Sequence, residues 1–125
     1  MAIAFTFDTG ALIALERGEK RMRTVLSVAQ ESRLVITVPA VAIAEWWRGT
    51  GRRRNLILQR VTVEPTTEHL ARLAGEAMAF IPAATVVDSI VMASAAQRGD
   101  TVFTSDIEDL ERLRARFPGV RVLRT

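Results

Sequence analysis

The stretch Val86–Asp106, VVDSIVMASAAQRGDTVFTSD, decides the fold class of this chain. Its first part is rich in alanine and other small residues, which predicts a helix that packs closely against a sheet. Gly99 is a typical helix stop signal, and Thr101–Thr104 is predicted to be a short buried strand. The stretch therefore predicts a helix–strand unit of a buried α/β sheet, with Asp88 near the helix start and Asp106 after the strand.

These two aspartates have two possible interpretations. Asp106 would lie outside the carboxyl end of a strand, where open parallel sheets bind ligands, and Asp88 could face it from the helix. Both acids also suit ordinary structural roles, because an aspartate favours a helix N-terminus and can cap the helix that follows. The pair taken alone does not decide between a functional site and helix capping.

Composition limits the class of protein. The chain has 125 residues, of which 49% are hydrophobic, so we expect a single domain spanning 1–125 with a substantial core. No apolar run approaches the roughly 20 residues of a membrane span, and the start lacks the pattern of a signal peptide. We therefore expect a soluble cytoplasmic protein with no membrane association. The absence of cysteine and the single histidine, His69, exclude thiolate sites and argue against a Ser/His/Asp triad.

The charge favours a polyanionic partner. The net charge of +3 comes from arginine, since Lys20 is the only lysine. The arginine fork matches phosphate, so nucleic acid is favoured over a membrane surface. The densest run, TGRRRN at 50–55, predicts a flexible basic lip followed by a short helix. A solvated face and phosphate contact both remain open for its arginines.

Short apolar strands alternate with helices along the whole chain. Strands are predicted at Ala2–Phe7, Leu34–Val38, Val61–Val63, Thr101–Thr104 and Val120–Leu123. One helix is predicted to begin at Pro39, to carry Glu45 and to stop at Gly49, and another to span Ile107–Phe117. This alternation predicts an α/β fold in which a short, mainly parallel sheet is covered by helices on both faces.

Carboxylates at the element boundaries form a candidate site. Asp8 and Asp106 follow apolar strands, while Glu45 and Asp88 come from helices predicted to pack on the sheet. If all four converge, their like charges raise one another's pKa, and a cation is needed to neutralise them. Mg²⁺ and Mn²⁺ prefer oxygen ligands, and they promote in-line displacement at phosphorus by a metal-activated water. The set therefore predicts a metal site.

The chain resembles the PIN-domain ribonucleases, and more narrowly the VapC toxins of bacterial toxin–antitoxin modules. The resemblance covers nearly the whole chain and rests on the order and spacing of four motifs. These are FTFDTGALIALE at 5–16, VPAVAIAEWWRG at 38–49, VVDSIVMASAAQRG at 86–99 and VFTSDIEDLERL at 102–113. The resemblance implies a three-layer PIN-like fold and an endoribonuclease that uses Mg²⁺, with Mn²⁺ as a possible substitute. It also implies a homodimer that a VapB-type antitoxin holds inactive.

The resemblance also implies roles for individual residues. The catalytic and metal-binding quartet would be Asp8, Glu45, Asp88 and Asp106. Thr104 would supply a supporting hydroxyl in the TxD pattern. Relatives often have asparagine where Asp106 stands and an acid three residues later, here Asp109, so these two acids could share or exchange the fourth role. The family also commonly has phenylalanine where this chain has Leu110.

The alternatives come from other classes of protein. A phosphoacceptor receiver domain needs an acidic pair at the first strand and a late lysine near the site, and the chain has neither. A DxDxT phosphatase needs a second aspartate where this chain has Gly10. A catalytically inactive PIN-like interaction or RNA-binding module remains possible, since Trp46, Trp47 and the basic run could form a partner surface. Helical geometry indicates that at least one of these tryptophans packs in the core or in a dimer interface.

The early helices suggest where an antitoxin would bind. By the resemblance, its C-terminal segment would lie in a groove made by these helices and reach the acids, with an arginine entering the acidic pocket. The apolar residues expected to form this surface are Leu12, Ile13, Leu15, Met22, Val25 and Leu26. They are more numerous than one side of a sheet obviously needs, which favours a helix-in-groove partner.

Overall fold

A computed structural model describes residues 4–125 of the chain. Its sheet has five strands in the order β3-β2-β1-β4-β5, and every pairing is parallel. The strands are β1 (Phe5–Phe7), β2 (Ile36–Pro39), β3 (Thr62–Glu64), β4 (Thr101–Thr104) and β5 (Arg121–Arg124). The predicted parallel sheet is confirmed. The first part of the predicted strand Ala2–Phe7 lies outside the described residues.

Helices cover both faces of this sheet, as predicted. They are α1 (Thr9–Glu16), α2 (Lys20–Glu31), α3 (Ala40–Trp46), α4 (Arg52–Leu58), α5 (Glu68–Phe80), α6 (Val86–Arg98) and α7 (Ile107–Leu113). The first four share one core with the Phe7, Val38 and Phe103 side chains of the sheet. On the opposite face, α6 and α7 enclose Val102 and Val122, and α5 packs on α6. No helix within residues 4–125 is long and apolar enough to cross a membrane.

Two helices are shorter than the sequence predicts. The helix after Pro39 ends at Trp46, because Trp47 has extended backbone angles and the Trp46 indole N–H donates to Glu16 Oε1 at 2.9 Å. The helix predicted for Ile107–Phe117 ends at Leu113, and the chain continues in turns up to Pro118. A proline disfavours the helical conformation in the residue before it, which explains why this helix cannot extend to Phe117.

The prediction of a flexible basic lip is wrong. Arg52–Leu58 forms α4, and this helix is attached to the end of α1 by two arginines. Arg54 Nη2 lies 2.8 Å from Glu16 Oε2, and Arg53 Nη1 donates to the Glu16 carbonyl at 2.6 Å. Because these arginines bind within the protein, the run is part of the fold and not a loose loop.

The apolar residues of the early helices are mostly core residues. Leu12 and Met22 are fully buried, and Leu15 and Leu26 are nearly so. Ile13 and Val25 are half-buried and pack against the same core. The expectation that all six residues form an exposed surface is therefore wrong, because most of them pack in the core that the early helices share with the sheet.

A buried polar network ties α6 to the sheet. Asp100, which is 1% exposed, accepts hydrogen bonds from Thr6 Oγ1 and from Arg98 Nε, both at 2.8 Å. Arg98 Nη1 also lies 2.7 Å from Glu64 Oε2, and Ser94 Oγ donates to Glu64 Oε1 at 2.5 Å. The network joins β1, β3 and α6, so it fixes the helix that carries Asp88 against the strands.

Replacing Asp100 should destabilise the fold. In Asp100→Ala, Arg98 keeps its charge beside the sheet but loses a buried partner, so the free energy of unfolding should fall by about 3 kcal/mol. Urea denaturation followed by circular dichroism measures this change. The control is Glu111→Ala, which removes an exposed ion pair with Arg114 and should cost about 0.5 kcal/mol or less. Equal losses in the two variants would contradict a stabilising role for the network.

Candidate functional site

The acids predicted from the sequence meet at the carboxyl edge of the sheet. Asp8 follows β1 and Asp106 follows β4, and these two strands are neighbours in the centre of the sheet. Asp8 is only 4% exposed. It caps α1, because its Oδ1 accepts a hydrogen bond from the Ala11 N–H at 2.9 Å. The turn from strand to helix thus fixes a buried carboxylate at the top of β1.

A close backbone approach brings the two strand-end loops together. A Cβ atom at Gly10 would lie 1.9 Å from Ser105 Oγ, a distance that atoms cannot adopt. Glycine therefore allows the start of α1 to touch the loop after β4. This contact sets the loop that carries Asp106 beside the turn that carries Asp8.

Helices supply the other two acids. Asp88 lies in the first turn of α6, where its backbone N–H donates to the Thr85 side chain at 3.1 Å, and it is half-buried. Glu45 lies on α3 and is exposed, and its Oε1 accepts a hydrogen bond from Thr9 Oγ1 at 2.7 Å. Each of these carboxylates therefore has a neighbouring hydroxyl that restricts its position.

Thr104 connects Asp8 with Asp106. It is fully buried, and its Oγ1 accepts a hydrogen bond from the Asp106 N–H at 2.9 Å. Its side chain also hydrogen-bonds the Asp8 carboxylate. Asp106 occupies the N-cap position of α7, but its side chain makes no capping hydrogen bond. The capping interpretation of Asp106 is therefore wrong, and its carboxylate is available for other contacts.

Asp109 lies close to the site but has a different environment. Its carboxylate forms an ion pair with Arg112 on the same helix. Asp106 makes no such ion pair with the described residues. The charge of Asp106 also raises the pKa of both Asp8 and Asp88, whereas the charge of Asp109 raises the pKa of Asp88 alone. Asp106 is thus coupled to both inner acids, and Asp109 to one of them.

Burial and charge repulsion perturb the two inner acids. The pKa of Asp8 is raised from 3.8 to about 6, mainly by burial and also by the charges of Asp88 and Asp106, while hydrogen bonds from Thr104 and Ala11 oppose the rise. Burial likewise raises the pKa of Asp88, with added repulsion from Asp106, Asp109 and Glu45, while the Thr85 side chain lowers it. The charge of Asp106 therefore acts on both Asp8 and Asp88, and the charge of Glu45 acts on Asp88.

The donor set suits a hard divalent cation. All four acids offer oxygen atoms, and their repulsion is the kind that a cation relieves. Among residues 4–125, no three carboxylate, histidine or cysteine side chains are already gathered so as to hold a metal ion. Mg²⁺ keeps several waters and needs few protein ligands, so the carboxylates fit it without a closed protein cage.

Residues 5–115 match the PIN domain family. The chain belongs to the PIN-domain family. PIN domains are generally nucleases, and PIN nucleases generally use divalent metal ions. No curated protein matches the chain significantly in sequence.

The structure is similar to solved chains of toxin–antitoxin complexes. The VapBC2 complex of Rickettsia felis, bound to a DNA fragment from their promoter, contains a chain with TM-score 0.79 and 13% identity, covering 98% of this chain and 99% of that one. DNA-bound VapBC from Salmonella typhimurium gives TM-score 0.73, 18% identity and 98% coverage of both chains. A chain of a toxin–antitoxin complex from Klebsiella pneumoniae has a TM-score of 0.69 and 18% identity, and the match covers 94% of this chain and 95% of that one. At these identities the likeness shows the fold alone.

Sequence reasoning missed two polar neighbours of the site. Thr9 orients Glu45, and its signal was available, because a hydroxyl directly after a strand-end aspartate faces the same edge of the sheet. Arg124 lines a cavity with Asp106, and no local pattern marks it. His69, the single histidine, is exposed. Trp46 is buried in the core, which confirms the structural interpretation of that residue.

Removing the buried charge of Asp8 should stabilise the metal-free protein. The pKa of Asp8 is higher in the folded state than in the unfolded state, so the folded state binds more protons between pH 4 and 6. Stability should therefore fall as pH rises through this window, by an amount on the order of 3 kcal/mol from Asp8. Asp8→Asn keeps the capping oxygen and should lose this part of the pH dependence.

Urea denaturation in chelator, repeated from pH 4 to pH 7.5, measures the effect. The variant should be more stable than the natural protein at pH 7.5, and the two should converge towards pH 4. Glu68→Gln is the control, because Glu68 is exposed and its carboxylate forms an exposed ion pair with Arg72. Parallel pH profiles for Asp8→Asn and the natural protein would show that Asp8 carries no strained charge.

Proposed function

We propose that this protein is a metal-dependent endoribonuclease, the VapC-type toxin of a bacterial toxin–antitoxin module. The observation that supports it most is the set of acids at the carboxyl edge of β1 and β4, where burial and the charges of neighbouring acids raise the pKa of the two inner carboxyls. A purely structural site would gain nothing from this repulsion. We propose further that residues 1–125 form a single PIN domain that acts in the cytoplasm.

The acids differ in burial, and this suggests their roles. Asp8 and Asp88 would be the inner ligands of Mg²⁺ or Mn²⁺, because both are shielded from water and the pKa of each is raised by burial and by neighbouring acids. Asp106 and Glu45 complete the set from the solvent side. When bound, the metal supplies the positive charge that acidifies a water and stabilises charge developing on the phosphate.

The surrounding side chains keep these acids in place. The Ala11 N–H and the Thr104 side chain favour the ionised form of the Asp8 carboxylate and so oppose the effect of burial. The Thr9 hydroxyl occupies Oε1 of Glu45, which leaves Oε2 free to accept a proton from the attacking water. Asp106 is exposed, and its backbone is held by a hydrogen bond to Thr104. Asp106 is therefore the fourth acid of the site in preference to Asp109, which is paired with Arg112.

A groove between α1, α2 and α4 suits an antitoxin segment. It is a cavity of about 190 Å³ with an apolar floor of Leu15, Leu26, Leu56 and Ile57. Three arginines surround this floor, namely Arg23, Arg53 and Arg60. An amphipathic segment with apolar anchors and acidic neighbours would match it. We propose that a VapB-type antitoxin binds there, because similar folds occur in VapBC complexes. We also propose that the toxin forms a homodimer, as its resemblance to VapC toxins implies.

RNA cleavage in cells tests the nuclease directly. Brief expression followed by sequencing of RNA 5′ ends should show new ends with the natural protein and none with Asp8→Asn or Asp88→Asn. The expected loss is at least about 100-fold, since each change removes a metal ligand. Glu68→Gln should behave as the natural protein. With purified protein, chelator should abolish cleavage and Mg²⁺ or Mn²⁺ should restore it.

Two outcomes would contradict this function. Cleavage that persists in chelator would exclude the metal mechanism. If the natural protein yields no new RNA ends and binds RNA equally well with and without Asp8, the chain is instead an inactive PIN-like interaction module.

Disrupting the groove should release the antitoxin. Leu56 is 46% exposed and lines the groove, whereas Val28 is 45% exposed and lies outside it. Leu56→Glu should therefore weaken binding of the small protein encoded beside the toxin at least tenfold, because it buries a charge among apolar anchors. Val28→Glu should bind as the natural protein does. Calorimetric titration measures both, and equal affinities would place the antitoxin elsewhere.

A further inference from the structure

A second cavity opens directly beside the acidic site. Its volume is about 230 Å³, and it is lined by Ser105, Asp106, Ile107, Glu108, Asp109 and Arg124. The cavity therefore shares Asp106 with the site and lies along the loop after β4, and Asp8 is not among the residues that line it. Arg124 is the one basic residue among the described residues that line it.

The backbone of Arg124 is held firmly next to the site. Arg124 pairs with Thr104 in the register of β5 and β4. The Thr125 N–H donates to the Thr104 carbonyl at 3.0 Å, and the Arg124 carbonyl accepts a hydrogen bond from Arg21 Nε at 2.9 Å. The guanidinium thus starts from a strand position beside the residue that hydrogen-bonds both Asp8 and Asp106.

The charge of Arg124 is not used within the described part of the protein. The ion pairs of residues 4–125 connect Asp109 with Arg112 and do not include Arg124. The Arg124 side chain is exposed. A free guanidinium beside a group of acids offers a planar fork that matches a phosphate and offsets the repulsion between the acids and a polyanion.

We propose that Arg124 binds a phosphodiester of the RNA substrate adjacent to the one that is cleaved. This inference rests on the proposed nuclease function and adds a substrate-binding residue to it. The RNA backbone would pass from the metal site at Asp8 and Asp88 into the cavity, where Arg124 fixes its register. The contact is with phosphate, so it should not depend on base sequence.

Arg121 provides a matched control on the same strand. It is also exposed, but it pairs with Thr101 at the opposite end of β4, about 10 Å from Arg124 along the strand. Both changes to glutamine remove one positive charge, so a difference between them reports position and not net charge. Arg124→Lys keeps the charge but loses the bidentate fork.

The first measurement is binding of single-stranded RNA in the Asp8→Asn background, where the RNA should remain intact. Arg124→Gln should raise the Kd about three- to tenfold, and Arg124→Lys should fall between it and the parent. The slope of log Kd against log salt should decrease by about 0.7, the value for one phosphate contact on a single strand. Arg121→Gln should leave the slope nearly unchanged.

The second measurement is steady-state cleavage with Asp8 intact. Arg124→Gln should raise KM more than it lowers kcat, because the lost contact binds substrate and does not touch the reacting atoms. Equal Kd values and salt slopes for the Arg124→Gln and Arg121→Gln variants would overturn the inference. That result is distinct from failure of the nuclease proposal, in which the natural protein does not cleave RNA with any divalent ion.

Discussion

The buried carboxylate of Asp8 is the constraint on which the site depends. A parallel sheet places the end of β1 in the centre of its carboxyl edge, between β2 and β4. Asp8 caps α1 there with its side chain, so the turn that begins the helix also fixes the position of the charge. Because the charge is almost completely buried, its neighbours decide whether it is tolerated, and two of these neighbours are themselves acids.

Other residues offset the cost of burying the Asp8 charge, and a more distant network holds the neighbouring helix α6 in place. Close to the acid, Thr104 and Ala11 favour its charged form. Farther away, the network around Asp100 and Arg98 locks α6 to the sheet, so Asp88 cannot move freely away from Asp8. A fold that holds like charges together favours the binding of a cation, because the cation relieves their repulsion and can also bind a phosphate.

The sequence predicted most of the fold because the decisive signals are local. The small residues predicted α6, Gly99 predicted its end, and Thr101–Thr104 was predicted as a buried strand. In the structure Gly99 ends the helix with a φ of 71°, and Thr101–Thr104 is a buried strand. Strand-end acids could be placed because all parallel strands end at one edge. The errors arose where distant residues decide. Glu16 binds the basic run and holds it in place. Helix α4 packs against apolar side chains of the early helices that were expected to bind a partner. Arg124 belongs to the site through its pairing with β4, which no local pattern reveals.

We propose that Asp8 and Asp88 share one divalent cation at the carboxyl edge of the sheet. A crystal structure with Mn²⁺, examined by anomalous scattering, would locate this cation. We expect one strong peak within about 2.5 Å of carboxylate oxygens of both Asp8 and Asp88, with Asp106 or Glu45 reaching it directly or through water. A peak bound elsewhere, or no peak in crystals saturated with Mn²⁺, would show that these two acids do not form a metal site.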